Sequence, residues 1–130
     1  MRACIGLACM LLQVGSALAC GHCIEDKIAA VYDYASMARA INQKHKLVYF
    51  GFASAAALNS ELRQQIKTQA QKIRGVDPES VRVSLESASL AISFDPQRIT
   101  YPELMQSLEM RLQSKKFSLF VLDIVNGNPK

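Results

Sequence analysis

The residues best equipped for chemistry lie together in one short run, Cys20-Gly21-His22-Cys23. Two thiolates separated by two residues can close on one ion without strain, and sulfur ligands select soft or borderline metals such as Cu(I) and Zn(II). His22 sits between them with an imidazole nitrogen, a donor suited to copper and zinc. Cutting the chain after Ala19 would expose the α-amine of Cys20 as a further donor and make His22 the third residue. An amine, two backbone nitrogens and an imidazole at that position form the square-planar nitrogen set that suits Cu(II) or Ni(II). The thiolates favour Cu(I) instead, so the two donor sets compete. Cys20, His22 and Cys23 are therefore the expected metal ligands. The implied partners are the ion itself and a protein that donates or accepts it.

Two other chemistries fit the same four residues. Cys-Gly-His-Cys at a helix start is also the active-site sequence of disulfide isomerases, where a helix N-terminus and a nearby imidazolium make one thiol nucleophilic. That site needs a strand running directly into it, which is missing here, and Glu25 and Asp26 just after the motif oppose thiolate formation. Alternatively, Ala17-Leu18-Ala19 before Cys20 loosely resembles a lipoprotein box, with Leu18 one position later than usual. Acylation there would remove the Cys20 thiol and leave a lipid-anchored interaction module. A disulfide between Cys20 and Cys23 would close so short a loop, at a chain end, that it would stabilise the fold little.

What precedes the motif sets the compartment. Arg2 is followed by an apolar run from Ala3 to Val14, broken only by Gly6 and Gln13, and then by the small residues of Ala17-Leu18-Ala19. The run is about a dozen residues, short of the roughly 20 that cross a bilayer and right for a secretory leader. Residues 1–19 read as a signal peptide, which discards Cys4 and Cys9 and implies a secreted or periplasmic product. No other segment is long and apolar enough to span a membrane. The formal charge is +4, but Lys44, Lys46, Lys67, Lys72, Arg74, Lys115 and Lys116 are scattered among acidic residues. The absence of a like-charge block argues against nucleic acid or a membrane surface as partner. Ser54 and Ser60 have no His/Asp arrangement around them, so no hydrolase is indicated, and metal binding needs no enzymatic turnover.

The elements that must position the motif follow from periodicity. Ile24, Ile28, Val31, Ala35 and Ala38 predict one helix over about 24–43. His45, at the junction that follows, reads as a surface residue. Residues 46–53 read as a buried strand rich in β-branched and aromatic side chains. A helix over about 55–74 buries Leu58, Leu62, Ile66, Ala70 and Ile73 and stops at Gly75. Strands at 81–85 and 90–94 flank a hairpin tip at Ser87-Ala88. Thr100 and Glu103 form a capping box for a helix running to about Ser114, with Leu104, Leu108 and Leu112 inward. Residues 117–125 form the last strand, and 126–130 a polar tail. Met105 belongs at the core edge, and Tyr32, Tyr34, Tyr49 and Tyr101 read as packing residues with wet tips.

The resulting α+β order from Leu47 is βαββαβ, a ferredoxin-like four-stranded antiparallel sheet with two helices on one face. The divisions are a leader (1–19), the motif with an extra N-terminal helix (20–45), a ferredoxin-like domain (46–125) and a tail. Three stretches resemble the second half of heavy-metal-associated domains: Arg74-Gly75-Val76-Asp77-Pro78-Glu79-Ser80-Val81-Arg82-Val83; Leu90-Ala91-Ile92-Ser93-Phe94-Asp95-Pro96; and Ile99-Thr100-Tyr101-Pro102-Glu103-Leu104. The resemblance covers about residues 47–125 and implies that fold and, by analogy, copper handling. It departs at one point. The family carries Cys-x-x-Cys on the loop after the first strand, whereas Gly51 to Ala57 contain no cysteine. Cys20 and Cys23 form the only such pair, ahead of the domain. Mass spectrometry of the exported protein is expected to show a chain starting at Cys20 with an unmodified amine; an added acyl mass would establish the lipoprotein instead.

Overall fold

The computed structural model describes residues 23–126. The leader, Cys20, His22 and the end of the tail lie outside the described residues. The elements are α1 (Ile24–Ala29), α2 (Tyr34–Gln43), β1 (Lys46–Ala53), α3 (Ser60–Gln71), β2 (Arg82–Ser84), β3 (Ser89–Phe94), α4 (Tyr101–Arg111) and β4 (Ser118–Asn126). Single 3-10 turns at Pro78–Ser80 and Gln113–Lys115 precede β2 and β4. The four strands form one antiparallel sheet in the order β2-β3-β1-β4. The connectivity from β1 onward is the expected βαββαβ, and the fold is ferredoxin-like.

β1 is apolar on both faces because both faces are covered. Val48, Phe50 and Phe52 point into a core with Leu90, Ile92 and Phe94 of β3, closed by Leu62 and Ile66 of α3 and Leu104 and Leu108 of α4. Leu47 and Tyr49 point the other way, into a smaller core with Ala91 of β3, Val31 and Ala40. The extra N-terminal segment therefore packs on the sheet face that α3 and α4 leave open. In β4, Tyr49 pairs with Asp123 and Phe50 with Val121, so Leu122 is an inserted residue at a bulge. Val121 packs on the first core, and Leu122 and Val125 on the second.

Two local expectations hold, and one is displaced. Thr100 Oγ1 accepts from Glu103 N at 3.3 Å and Glu103 Oε2 accepts from Thr100 N at 3.1 Å, completing the capping box. Gly75 has φ +92°, and a Cβ there would lie 2.8 Å from Ile99 Cγ2, so the turn after α3 needs glycine on both grounds, but it does not cap the helix, which ends at Gln71 with Lys72 as its C-cap. Ala88 turns the β2–β3 hairpin at φ 48°.

Three others are corrected. The expected single helix over 24–43 is two helices, because Asp33 starts a new one. Its carboxylate accepts from Ser36 N at 3.0 Å and Ser36 Oγ at 2.6 Å, and also pairs with Arg82 at 3.2 Å. The Ser36 hydroxyl bond, above all, holds its pKa below the usual carboxylate value. The next helix starts at Ser60 rather than near Ala55, because Asn59 Oδ1 caps Leu62 N at 2.9 Å. That leaves Leu58 outside the core at 51 % exposure. Finally, Tyr49 has no wet tip: its hydroxyl is buried and meets no hydrogen-bond partner among the described residues.

Burial, with the charges of Asp123 and Asp33 and the nearby Tyr32, pushes the Tyr49 phenol up to about 12. The folded value lies above the reference value of 10.0. The contribution to stability is thus fully present below pH 10.0 and is lost as pH rises through about 12. Absorbance titration at 295 nm should show a step near 12 that Tyr49→Phe removes. Because that variant removes a buried polar group that makes no bond, its stability at neutral pH should be unchanged or higher by about 1 kcal/mol in a denaturant titration.

Candidate metal centre

Cys23 is the one residue of the motif within the described chain, and α1 positions it. Cys23 is exposed and is the N-cap of this six-residue helix, with extended backbone angles and its carbonyl accepting from Lys27 N at 3.1 Å. Glu25 and Asp26 occupy the first turn. Their negative charge suits the N-terminal end of the helix dipole and also favours a cation nearby. Ile28 and Val31 fasten α1 to the second core.

Lys27 fixes the direction of α1. Its Nζ donates to the Ser87 carbonyl at the tip of the β2–β3 hairpin. Next to it, the Ala88 carbonyl accepts from Phe52 N at 2.9 Å, near the end of β1. Farther along the N-terminal segment, Asp33 reaches Arg82 at the start of β2, away from the hairpin tip. Cys23 therefore lies at the end of the sheet where β1 runs into the loop before α3. The loop and Cys23 share that end but belong to opposite sheet faces.

The loop is held by polar backbone contacts. Ser54 Oγ donates to the Lys115 carbonyl at 3.0 Å and accepts from Ala56 N at 3.1 Å, while Ala55 N donates to the same carbonyl at 3.1 Å. It offers no sulfur or imidazole donor. Among the described residues no group of three or more His, Cys, Asp and Glu side chains could hold a metal ion. A site of three or more such ligands that includes Cys23 needs at least one donor from outside the described residues.

The remaining candidates lie elsewhere. His45 sits at the α2–β1 junction, at the opposite end of the sheet from Cys23. It is half-buried rather than a fully exposed surface residue, with Nδ1 buried and without a hydrogen-bond partner among the described residues. Met37 packs on the second core, and Met105 packs on the first, where it meets the Tyr101 hydroxyl at 3.7 Å. Met110 is exposed. Lys27 could not be read as an anchor from its neighbours, since its partner lies 60 residues away. Nor did the sequence reveal that Arg74, Arg98 and Arg111 line a single groove.

Lys27→Ala should loosen α1 without disturbing the sheet. Amide exchange is expected to speed up over 24–29 and stay unchanged in β1 and β3, with a global stability loss of about 1 kcal/mol or less.

No family model matches the sequence, and no curated protein matches it. In three dimensions the chain is similar to the crystal structure of a copper binding domain from HMA7, a P-type ATPase. The TM-score is 0.51 at 14 % identity, over 61 % of this chain and 96 % of that one. At that identity the likeness is one of fold. The chain has the ferredoxin-like fold seen in that heavy-metal-associated domain, extended at its N-terminus by two helices that cover the sheet.

Proposed function

We propose that this chain is an exported soft-metal-binding protein that takes copper as Cu(I) between the thiolates of Cys20 and Cys23, for sequestration or transfer to another protein. His22 is a third or alternative ligand, and Zn(II) and Cu(II) are secondary cargoes. The observation that carries the reading is the concentration of sulfur and imidazole donors in four residues that lead straight into α1, with Cys23 exposed at its start. The likeness in fold to a copper binding domain supports it.

The chemistry follows from the donors. Thiolates bind only after losing their protons, so copper uptake releases protons and weakens as the pH falls. Glu25 and Asp26, in the first turn of α1, raise the local concentration of cations beside Cys23. A site at a chain end, rather than in an enclosed cage, lets a partner's thiols reach the ion and exchange ligands one at a time.

Competition with a Cu(I) chelator should give one ion per chain for the processed protein. Cys20→Ser/Cys23→Ser should weaken binding by at least 100-fold, on the order of 3 kcal/mol, with an unchanged circular dichroism spectrum. Full binding by the double variant would remove the site. Thiol–disulfide exchange is the competing use of the same residues; the processed protein should be inactive in insulin reduction, and turnover there would favour the redox reading.

A further inference from the structure

On the sheet face opposite α1 and α2, a groove of about 470 Å³ runs along α4. Three arginines line it, Arg74, Arg98 and Arg111. They come from three places: the turn after α3, the turn before α4 and the end of α4. Gly75 permits the close approach of two of them, since a Cβ on Gly75 would meet Arg98 Cβ at 3.1 Å. Arg111 is steered from the side by Gln69, whose Oε1 lies 3.4 Å from its Nη1.

These arginines differ from two others in the fold. Arg39 pairs with Asp77 and Glu79, and Arg82 pairs with Asp33. Arg74, Arg98 and Arg111 form no ion pair among the described residues. The one carboxylate in the lining, Glu103, already accepts from Thr100 N in the capping box. Gln106 and Ser107 add neutral hydrogen-bonding groups, and Met110, 66 % exposed, adds an apolar surface.

We infer that this groove docks an acidic peptide segment of a partner protein. Guanidinium forks match carboxylates in a bidentate geometry that lysine cannot offer. Their separation supplies the length. Arg74 and Arg98 lie near the start of α4 and Arg111 at its end, and the eight steps from Glu103 to Arg111 span about 12 Å. An extended segment of about four residues covers that distance. A lone phosphate would reach only one end. A flat membrane would touch only the rim of a concave groove. The lining carries no aromatic ring on which a single-stranded nucleic acid could stack its bases. The groove lies on the sheet face away from α1 and does not include Cys23.

The test is fluorescence anisotropy of the full chain at low salt, with a fluorescein-labelled peptide carrying the core Glu-Asp-Leu-Glu. Saturable binding is expected, and Arg74→Gln/Arg98→Gln/Arg111→Gln should weaken it at least tenfold. All three side chains are exposed, and circular dichroism will verify the fold. Lys44→Gln/Arg63→Gln/Lys67→Gln removes the same charge outside the groove and should change binding less than twofold. Equal losses in the two variants would reduce the effect to net charge and overturn the proposal. So would displacement of the peptide by inorganic phosphate at the peptide's own concentration. Binding to phosphatidylglycerol vesicles without any binding to the peptide would also overturn it, in favour of a lipid surface.

Discussion

The structure depends on one strand being buried twice. β1 sends Val48, Phe50 and Phe52 into the core under α3 and α4, and Leu47 and Tyr49 into the core under α1 and α2. A ferredoxin-like sheet with one bare face would carry polar residues at alternate positions of its central strand. Here those positions are apolar, so the N-terminal helices are part of the folded domain rather than an appendage. Burial of this kind, at about 25 cal/mol per Å² of apolar surface, is what holds a six-residue helix that could not persist alone. It also holds Cys23, because Ile28, the following Val31 and the Lys27 contact with the hairpin fasten α1 to the sheet.

That arrangement relates the candidate metal centre to the fold it resembles. The loop after β1, where heavy-metal-associated domains carry their cysteine pair, is closed here by Ser54 and the Lys115 carbonyl and offers no soft donor. The cysteine-bearing segment comes from the other side of the sheet to the same end of the molecule. An end of the sheet is where strand termini and loops leave backbone and side chains accessible, and a ligand set can be delivered to it from either face. The proposed relocation therefore keeps access to the site while changing which segment supplies the sulfurs.

The sequence showed most clearly what is decided locally. The capping box at Thr100 and the two alternating strands around Ser87-Ala88 each depend on a few neighbouring residues, and each is found where expected, whereas α3 stops at Gln71, ahead of the expected glycine stop at Gly75. The break between α1 and α2 was hidden, because the apolar spacing of Ile28, Val31 and Ala35 continues through it. What decides it is Asp33, which caps the next helix and pairs with Arg82, 49 positions away. Leu58 misled for a related reason: it fits the apolar stripe, but Asn59 sets the helix boundary after it. The lack of cysteine in the β1–α3 loop could be read directly. The groove of Arg74, Arg98 and Arg111 could not, because residues from three segments meet only after folding.

The inserted residue in β4 has a consequence for the molecule's borders. The sheet ends in two edges, β2 with three residues and β4 with nine, and only the longer could template another chain. Leu122 interrupts its ladder midway, so a strand from a neighbouring molecule would find two short stretches out of phase with each other instead of one straight run. A kink that first serves to place Val125 beside Leu47 thereby guards the exposed flank against stacking into fibres, while Phe120, 47 % exposed, stays at the surface.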